Sequence, residues 1–307
     1  MKNTLTRVKR FIKKHRMLGG IIHRMQDGFF RTATVISPAL NTRLWYLKVF
    51  HKWPDLKNPA TFNEKLLCLK LRHMKDPLVI QCADKYRVRD YVRGCGCGQY
   101  LNELYGAYDR ADEIPWDDLP ERFVVKWNFG AGMNLVCPDR KGFDCVDAVR
   151  TLNKWEREKV WLSHAEMQYK YSPRKLICEK YLEEGDGSES LTDYKVYCFH
   201  GKPEAILVMH DRSTTVRTEF FDPSWRKLEN TSKYPEPEVP TPKPACLEEL
   251  LEAARRLSKP FDFVRCDFYI VDGKPVFGEL TFTPAGGLYI AQTKIDGREM
   301  TEFLHIS

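Results

Sequence analysis

Two β-rich runs near the C-terminal end, residues 263–271 and 274–281, flank the dipeptide Asp272-Gly273. An Asp-Gly pair between such runs is a strong hairpin signal, because both turn positions favour positive φ. Each run carries one acid among apolar neighbours, Asp267 and Glu279. A second hairpin is expected where the apolar run 193–202 is followed by 205–212. Upstream, residues 121–128 read as a buried strand that enters Phe129-Gly130-Ala131-Gly132-Met133-Asn134, with a short strand at 135–137 beyond it. A strand is also expected over 175–182, and a short strand and turn over 101–108. Helical spacing marks 62–73, where Thr61 and Glu64 form a capping-box pattern, and 77–93, closed by Gly94, Gly96 and Gly98. Residues 143–170 and 247–257 are read as helical, 41–75 as aromatic and helical with breaks before Pro54 and Pro59, 115–120 as a linker, and 213–243 as a proline-rich loop facing or covering a substrate.

No internal repeats or low-complexity segments interrupt these elements. At 307 residues and 36.0 kDa the chain can bury a sizeable core. Hydrophobic content of 43% and charged content of 30% fit a globular protein, and no apolar run approaches the ~18 residues of a membrane span. The segment after Met1 lacks the apolar stretch of a secretory leader. Ten scattered cysteines predict free thiols in a reducing compartment, and the close pair Cys95 and Cys97 does not match a Cys-x-x-Cys ligand pattern.

Charge changes the picture at one end only. Residues 1–60 hold thirteen Lys or Arg against two Asp, in a chain of net charge +7, so the remainder is net acidic. Leu5, Val8, Phe11 and Ile12 recur at helical spacing among those cations, which predicts a basic amphipathic helix suited to an anionic membrane surface. The same stripe would serve equally to pack a solvated helix on the body. No aromatic RNA-binding motif accompanies it, so nucleic acid is not expected as a partner.

The candidate chemistry lies on the strands. Asp267 and Glu279 on paired strands, beside Arg265 and Thr281, would repel one another without a cation, and hard oxygen ligands of this kind suit Mg²⁺. An ordinary solvated hairpin would show the same alternation. Lys126 ends a strand just before Gly130 and Gly132, whose backbone could approach a polyphosphate. That loop is not a Walker A motif, since no Gly-Lys-Ser/Thr closes it, and a strand rather than a helix follows, which disfavours a dinucleotide fold. A plain hairpin turn is the competing reading. Asp193 and Lys195 alternate on one strand and so face the same side.

Taken in order, Asp84-Lys85, Lys126 with its glycine loop, Glu179-Lys180-Tyr181-Leu182, Asp193-x-Lys195, Arg265-x-Asp267 and Glu279-x-Thr281 with Pro284 resemble the ATP-grasp superfamily over about residues 60–300. The pattern is similar to D-alanine–D-alanine ligases and ribosomal-protein glutamate ligases. In detail it most resembles the TupA-like family, named for teichuronopeptide biosynthesis, through Thr61-Phe-Asn-Glu-Lys65, Phe123-Val-Val-Lys126 with Asn128, Asp193-Tyr-Lys195, and Phe277-Gly-Glu-Leu-Thr281. The resemblance implies two α+β lobes sandwiching ATP: residues 61–120 as a helical and linker part, 121–182 as a small lobe with a glycine flap, and 183–307 as a large lobe with the metal site, after a basic extension over 1–60.

It also implies roles. Lys85 and Lys126 would contact ATP phosphates under Gly130 and Gly132. The backbone of Glu179, Tyr181 and Leu182 would read the adenine edge, Asp193 the ribose and Lys195 the γ-phosphate. Asp267 and Glu279 would hold Mg²⁺, with Thr281 where the superfamily usually has Asn. Arg212 and Arg265, with Lys195, would stabilise a transferring phosphoryl group. The implied activity is an ATP- and Mg²⁺-dependent carboxylate–amine ligase acting through an acyl phosphate, joining an amino acid to a uronic acid of a bacterial surface polysaccharide. The implied setting is cytoplasmic, at the inner face of the membrane. A glycosyltransferase or a glycan kinase of the same pathway, or a non-catalytic ATP-binding assembly factor, remain as alternatives; the first would want an Asp-x-Asp metal motif, which is absent.

Overall fold

The computed structural model describes residues 24–184, 191–210, 215–290 and 292–306. Residues 1–18, the expected membrane-binding segment, and Arg212 lie outside the described residues.

Two antiparallel sheets organise the chain. The first has four strands: β1 (Leu104–Tyr108), β2 (Phe123–Trp127), β3 (Asn134–Cys137) and β4 (Leu176–Lys180), in the order β1-β4-β2-β3. Burial alternates along β2, so Phe123, Val125 and Trp127 face a core that they share with Leu152, Leu176 and Cys178. Leu152 belongs to α6 (Cys145–Glu156), the helix laid on this sheet. The helical reading of 143–170 is corrected here. Only α6 is long, and two single turns follow, α7 (Trp161–His164) and α8 (Gln168–Tyr171), because Ala165 takes a left-handed conformation with φ 54° between them.

The second sheet has five strands: β5 (Asp193–Phe199), β6 (Lys202–His210), β7 (Arg217–Phe221), β8 (Phe263–Val271) and β9 (Lys274–Thr281), in the order β7-β6-β5-β8-β9. All of β5 is buried, because both faces of this sheet are covered. Val196, Cys198, Val264 and Cys266 face α9 (Leu247–Ser258) and its Leu250, Ala254 and Leu257. On the other face Tyr197, Phe199 and Phe263 pack against Phe62, Leu66 and Leu69 of α3 (Phe62–Arg72). Strand β7 lies inside the stretch read as loop; it pairs with β6 from Ile206↔Phe221 to His210↔Arg217. Its signal, five residues among prolines and polar residues, is too short to separate from a loop by pattern alone.

Local signals held where they were self-contained. Thr61 and Glu64 cap α3 reciprocally. The Asp272-Gly273 turn joins β8 to β9 with φ values of 51° and 73°. The expected single helix over 77–93 instead divides into α4 (Pro77–Ala83) and α5 (Val88–Gly94). Asp84 breaks it: its carboxylate accepts hydrogen bonds from the backbone N–H groups of Tyr86 (2.9 Å) and Arg87 (3.0 Å), competing with helix continuation. Before these elements, the helical stretch 24–36 (α1) and α2 (Pro38–Phe50) dock on α7, where Trp45 stacks on His164 at 4.5 Å and donates to the Ser163 carbonyl at 2.8 Å.

Candidate active site

The odd-numbered positions of β5 and β8 share one face of the larger sheet. At one end of that face they are apolar, Phe199 and Phe263 joining the core with α3. At the other end they are Asp193, Lys195, Arg265 and Asp267, and this polar end lines a cleft that Lys85, Lys126 and Gly132 also reach. The smaller sheet thus supplies the glycine loop, Lys126 and Glu179, and the larger sheet Asp193, Asp267 and Glu279.

Register places the two acids opposite each other. Asp267 pairs with Glu279, and Arg265 with Thr281. Arg265 chelates Asp267, with Nε to Oδ1 at 2.7 Å and Nη2 to Oδ2 at 2.6 Å, and Nη2 also donates to Thr281 Oγ1 at 3.2 Å. Lys195 Nζ bridges Asp193 (2.9 Å) and Asp267 (3.1 Å). Burial works against the Asp267 carboxylate, but Arg265 and Lys195 outweigh it and hold its pKa below the usual range. Glu279 accepts from Thr281 Oγ1 at 3.2 Å.

On the opposite wall Glu179 is buried and shared by Arg89 Nη1 (3.0 Å) and Lys126 Nζ (2.6 Å). Lys85 Nζ donates to the Gly130 carbonyl, and burial lowers its pKa. Gly130 and Gly132 have φ of 66° and 76°, the left-handed region that glycine enters freely, so the flap can turn between β2 and β3. Gly132 lines the cleft with Ala131, whereas Gly130 lines a neighbouring cavity. Leu182 also lines the cleft, while the Tyr181 ring lies under the Arg122 guanidinium at 4.2 Å.

The structure therefore gathers Lys85, Lys126, Gly132, Glu179, Leu182, Asp193, Lys195, Arg265, Asp267 and Glu279 around one cleft, with Thr281 bonded to two of them. The Tyr181 side chain is not among them. Neither this cleft nor its neighbour is lined by described residues of the 213–243 stretch. Several participants went unassigned in the sequence. Arg89, whose guanidinium also donates to the Asn102 carbonyl at 2.7 Å, sits in a helix with no motif around it. Asp84 is fully buried and joined to Asn128. Asp84 and Asn128 stand in the sequence only as neighbours of Lys85 and Lys126 in the family pattern, and Arg89 carries no such mark.

The lining fits a magnesium nucleotide in chemical character. Its five cations, Lys85, Arg89, Lys126, Lys195 and Arg265, face four carboxylates, Glu179, Asp193, Asp267 and Glu279. Among the described residues no group of three or more His, Cys, Asp or Glu side chains is arranged to hold a metal alone. Mg²⁺ needs no such cage, since one or two carboxylates plus substrate phosphates commonly hold it. Glu279, with one neutral partner, and Asp267 opposite it are the residues that would do so.

Comparison with curated proteins gave no match. Among solved structures the chain is similar to the D-alanine–D-alanine ligase of Bacillus anthracis, at 16% identity over 66% of this chain and 57% of that one, with a TM-score of 0.41. It is also similar to the D-alanyl-alanine synthetase A of Vibrio cholerae, at 13% identity over 73% and 63% with a TM-score of 0.44, and to the L-amino acid ligase of Bacillus licheniformis, at 16% over 65% and 42% with a TM-score of 0.38. The chain thus covers less than two thirds of each of these proteins. The family model described as TupA-like ATPgrasp matches residues 64–302, which include both sheets and every cleft residue named above. The chain belongs to the TupA-like ATP-grasp family.

Proposed function

We propose that the protein is an ATP- and Mg²⁺-dependent carboxylate–amine ligase. The observation that carries this reading is the Lys195 ammonium, bonded to Asp193 and Asp267 at the point where Asp267 stands opposite Glu279. A buried lysine so placed can turn toward a terminal phosphate while the two carboxylates hold a metal. Phosphoryl transfer depends almost wholly on such positioning and charge neutralisation. Bound Mg²⁺ would neutralise charge on the phosphates. Lys85 and Lys126, beneath the flap, would orient the polyphosphate, and Arg265 would stay fixed against Asp267. Asp193 would meet the ribose, and the backbone at Tyr181 and Leu182 the adenine. A carboxylate attacks the γ-phosphate to give an acyl phosphate and ADP; an amine then attacks the carbonyl, forming the C–N bond as phosphate leaves.

The family's name supports the finer substrate reading, an amino acid joined to a uronic acid of a bacterial surface polysaccharide, and the basic segment 1–18 supports a station at an anionic membrane surface. No described helix is long and apolar enough to cross a membrane. The test is product analysis with ATP, Mg²⁺, amino acids and free or carrier-linked uronic acids. Amide, ADP and phosphate in equal amounts are expected. A phosphorylated sugar with ADP, or sugar transfer without ATP cleavage, would replace the ligase reading with a kinase or a glycosyltransferase.

A further inference from the structure

A second cavity of about 200 Å³ adjoins the cleft and shares Arg265, Glu279 and Ala131 with it. Its wall also includes the turn after β9, Thr283 to Gly286, Tyr169 of α8, and Glu166 in the link before that helix. That volume accommodates several water-sized groups. Its least satisfied member is Glu166. Among the described residues this carboxylate accepts one side-chain hydrogen bond, from Thr283 Oγ1 at a long 3.3 Å, and forms no ion pair. An ionised carboxylate offers about four lone-pair sites, so most of its acceptor capacity is unused. Burial pushes its pKa up, and Lys70 offsets that only in part. A half-buried carboxylate with a single long hydrogen bond is costly, and a cation in the cavity would relieve the cost.

The chemistry of the shared wall decides which cation. The metal belongs to Asp267 and Glu279, on the cleft side. Arg265, which also lines this cavity, is taken up by Asp267, so a second carboxylate placed here would meet the like charge of Glu166, whereas an ammonium would meet an opposite one. Resting on the ligase reading, we infer that this cavity is the amine subsite and that Glu166 receives the incoming amine as its ammonium and takes up its proton, leaving the free amine to attack the acyl carbonyl. The flap residue Ala131 belongs to both spaces, so amine and phosphate would be brought together beneath one loop.

The test uses the full chain with ATP and Mg²⁺ and two probes of similar shape, glycinamide, which carries an ammonium, and acetamide, which does not. Affinities are read by saturation-transfer NMR. Wild-type protein should prefer glycinamide by about tenfold or more, the scale of one charged hydrogen bond. Glu166→Gln should erase that preference and Glu166→Asp should keep part of it, while both retain thermal stabilisation by ATP as a check on folding. Once an amine substrate is in hand, Glu166→Gln should raise its KM far more than that of ATP. Equal binding of the two probes to wild-type protein, or an unchanged preference in a folded Glu166→Gln variant, would overturn the inference. Absence of ATP stabilisation in wild-type protein would strike the ligase reading instead, so the two failures are distinct.

Discussion

Asn128 Nδ2 donates to Asp84 Oδ2 at 2.6 Å, linking the residue before Lys85 to the residue that follows β2. The link is reinforced on both sides. The Lys85 N–H donates to the Asn128 carbonyl at 3.0 Å, and Asn128 Oδ1 accepts from the Lys175 N–H at 3.0 Å. Lys85, in the turn between α4 and α5, is thus fixed to the base of the glycine loop. Asn128→Ala should cost about 1–3 kcal/mol, because it strips a partner from a fully buried carboxylate. It should also weaken ATP binding by loosening Lys85. Urea denaturation and nucleotide titration measure the two effects; a variant with lower stability but wild-type ATP affinity would show that the link serves folding alone.

Glu279→Gln should abolish turnover while keeping the hairpin. The change removes a charge but preserves shape. Stabilisation of wild-type protein by MgATP at ~100 Kd should approach ~2.7 kcal/mol, and the variant should respond no better to MgATP than to ATP with chelator. Thermal melts with and without EDTA read the difference directly.

The Arg89–Glu179 pair, with both side chains 7% exposed, predicts a different outcome. Arg89→Met leaves a nearly buried Glu179 with Lys126 alone at the cleft wall. Removing one partner of such a pair costs about 3–5 kcal/mol. Adding Glu179→Gln to Arg89→Met should return much of that stability, although ATP binding would stay impaired. Chemical denaturation of the three variants checks the sign of the coupling.

Lys70 gives stability a pH dependence. Burial lowers its pKa from 10.5 to about 8, with Glu166 opposing the shift only in part. Between those two values the unfolded chain binds the extra proton, so stability rises with pH across that window; below about 8 the full penalty persists. The span corresponds to ~3 kcal/mol. Lys70→Met should be the more stable protein at neutral pH and should lose this rise, as urea titrations from neutral to alkaline pH would reveal. His164, whose pKa burial also lowers, titrates well below the window.

The basic segment 1–18 is predicted from sequence alone to bind anionic vesicles. Each Lys or Arg near such a surface contributes about 1 kcal/mol, and the attraction should fade as the Debye length shrinks to ~3 Å at 1 M salt. Flotation with anionic and neutral liposomes is the measurement, and equal recovery on both would count against a charge-driven contact.

What could be read in advance was what neighbours in sequence decide. The Asp272-Gly273 turn, the Thr61–Glu64 cap and the same-side placement of Asp193 and Lys195 need only a few consecutive residues. The break at Asp84 was hidden, since nothing nearby says that Asn128 will take its second oxygen. Arg89 looked like any helix cation until β4 brought Glu179 against it, and Glu166 gave no signal because its one hydrogen-bond partner, Thr283, lies more than a hundred residues away. Strand β7 was lost among prolines for the opposite reason, having too little pattern of its own.

One irregularity in the last hairpin has a further bearing. Asp267 pairs with Glu279 but Phe268 pairs with Phe277, so Gly278 is an extra residue on β9. In an unbroken strand residues 277 and 279 would point the same way. Here Phe277 meets Phe268 edge to face in the core at 6.1 Å, while Glu279 looks into the cleft. A Cβ at 278 would lie 3.0 Å from the Asp267 carbonyl, so the position admits little besides glycine. Straightening the strand with Gly278 in place would put residues 277 and 279 on one face and force a choice between an acid in the core and a phenyl ring where the acid belongs in the cleft. The chain escapes that choice through the one extra residue at Gly278, which turns Phe277 and Glu279 to opposite faces of the same strand.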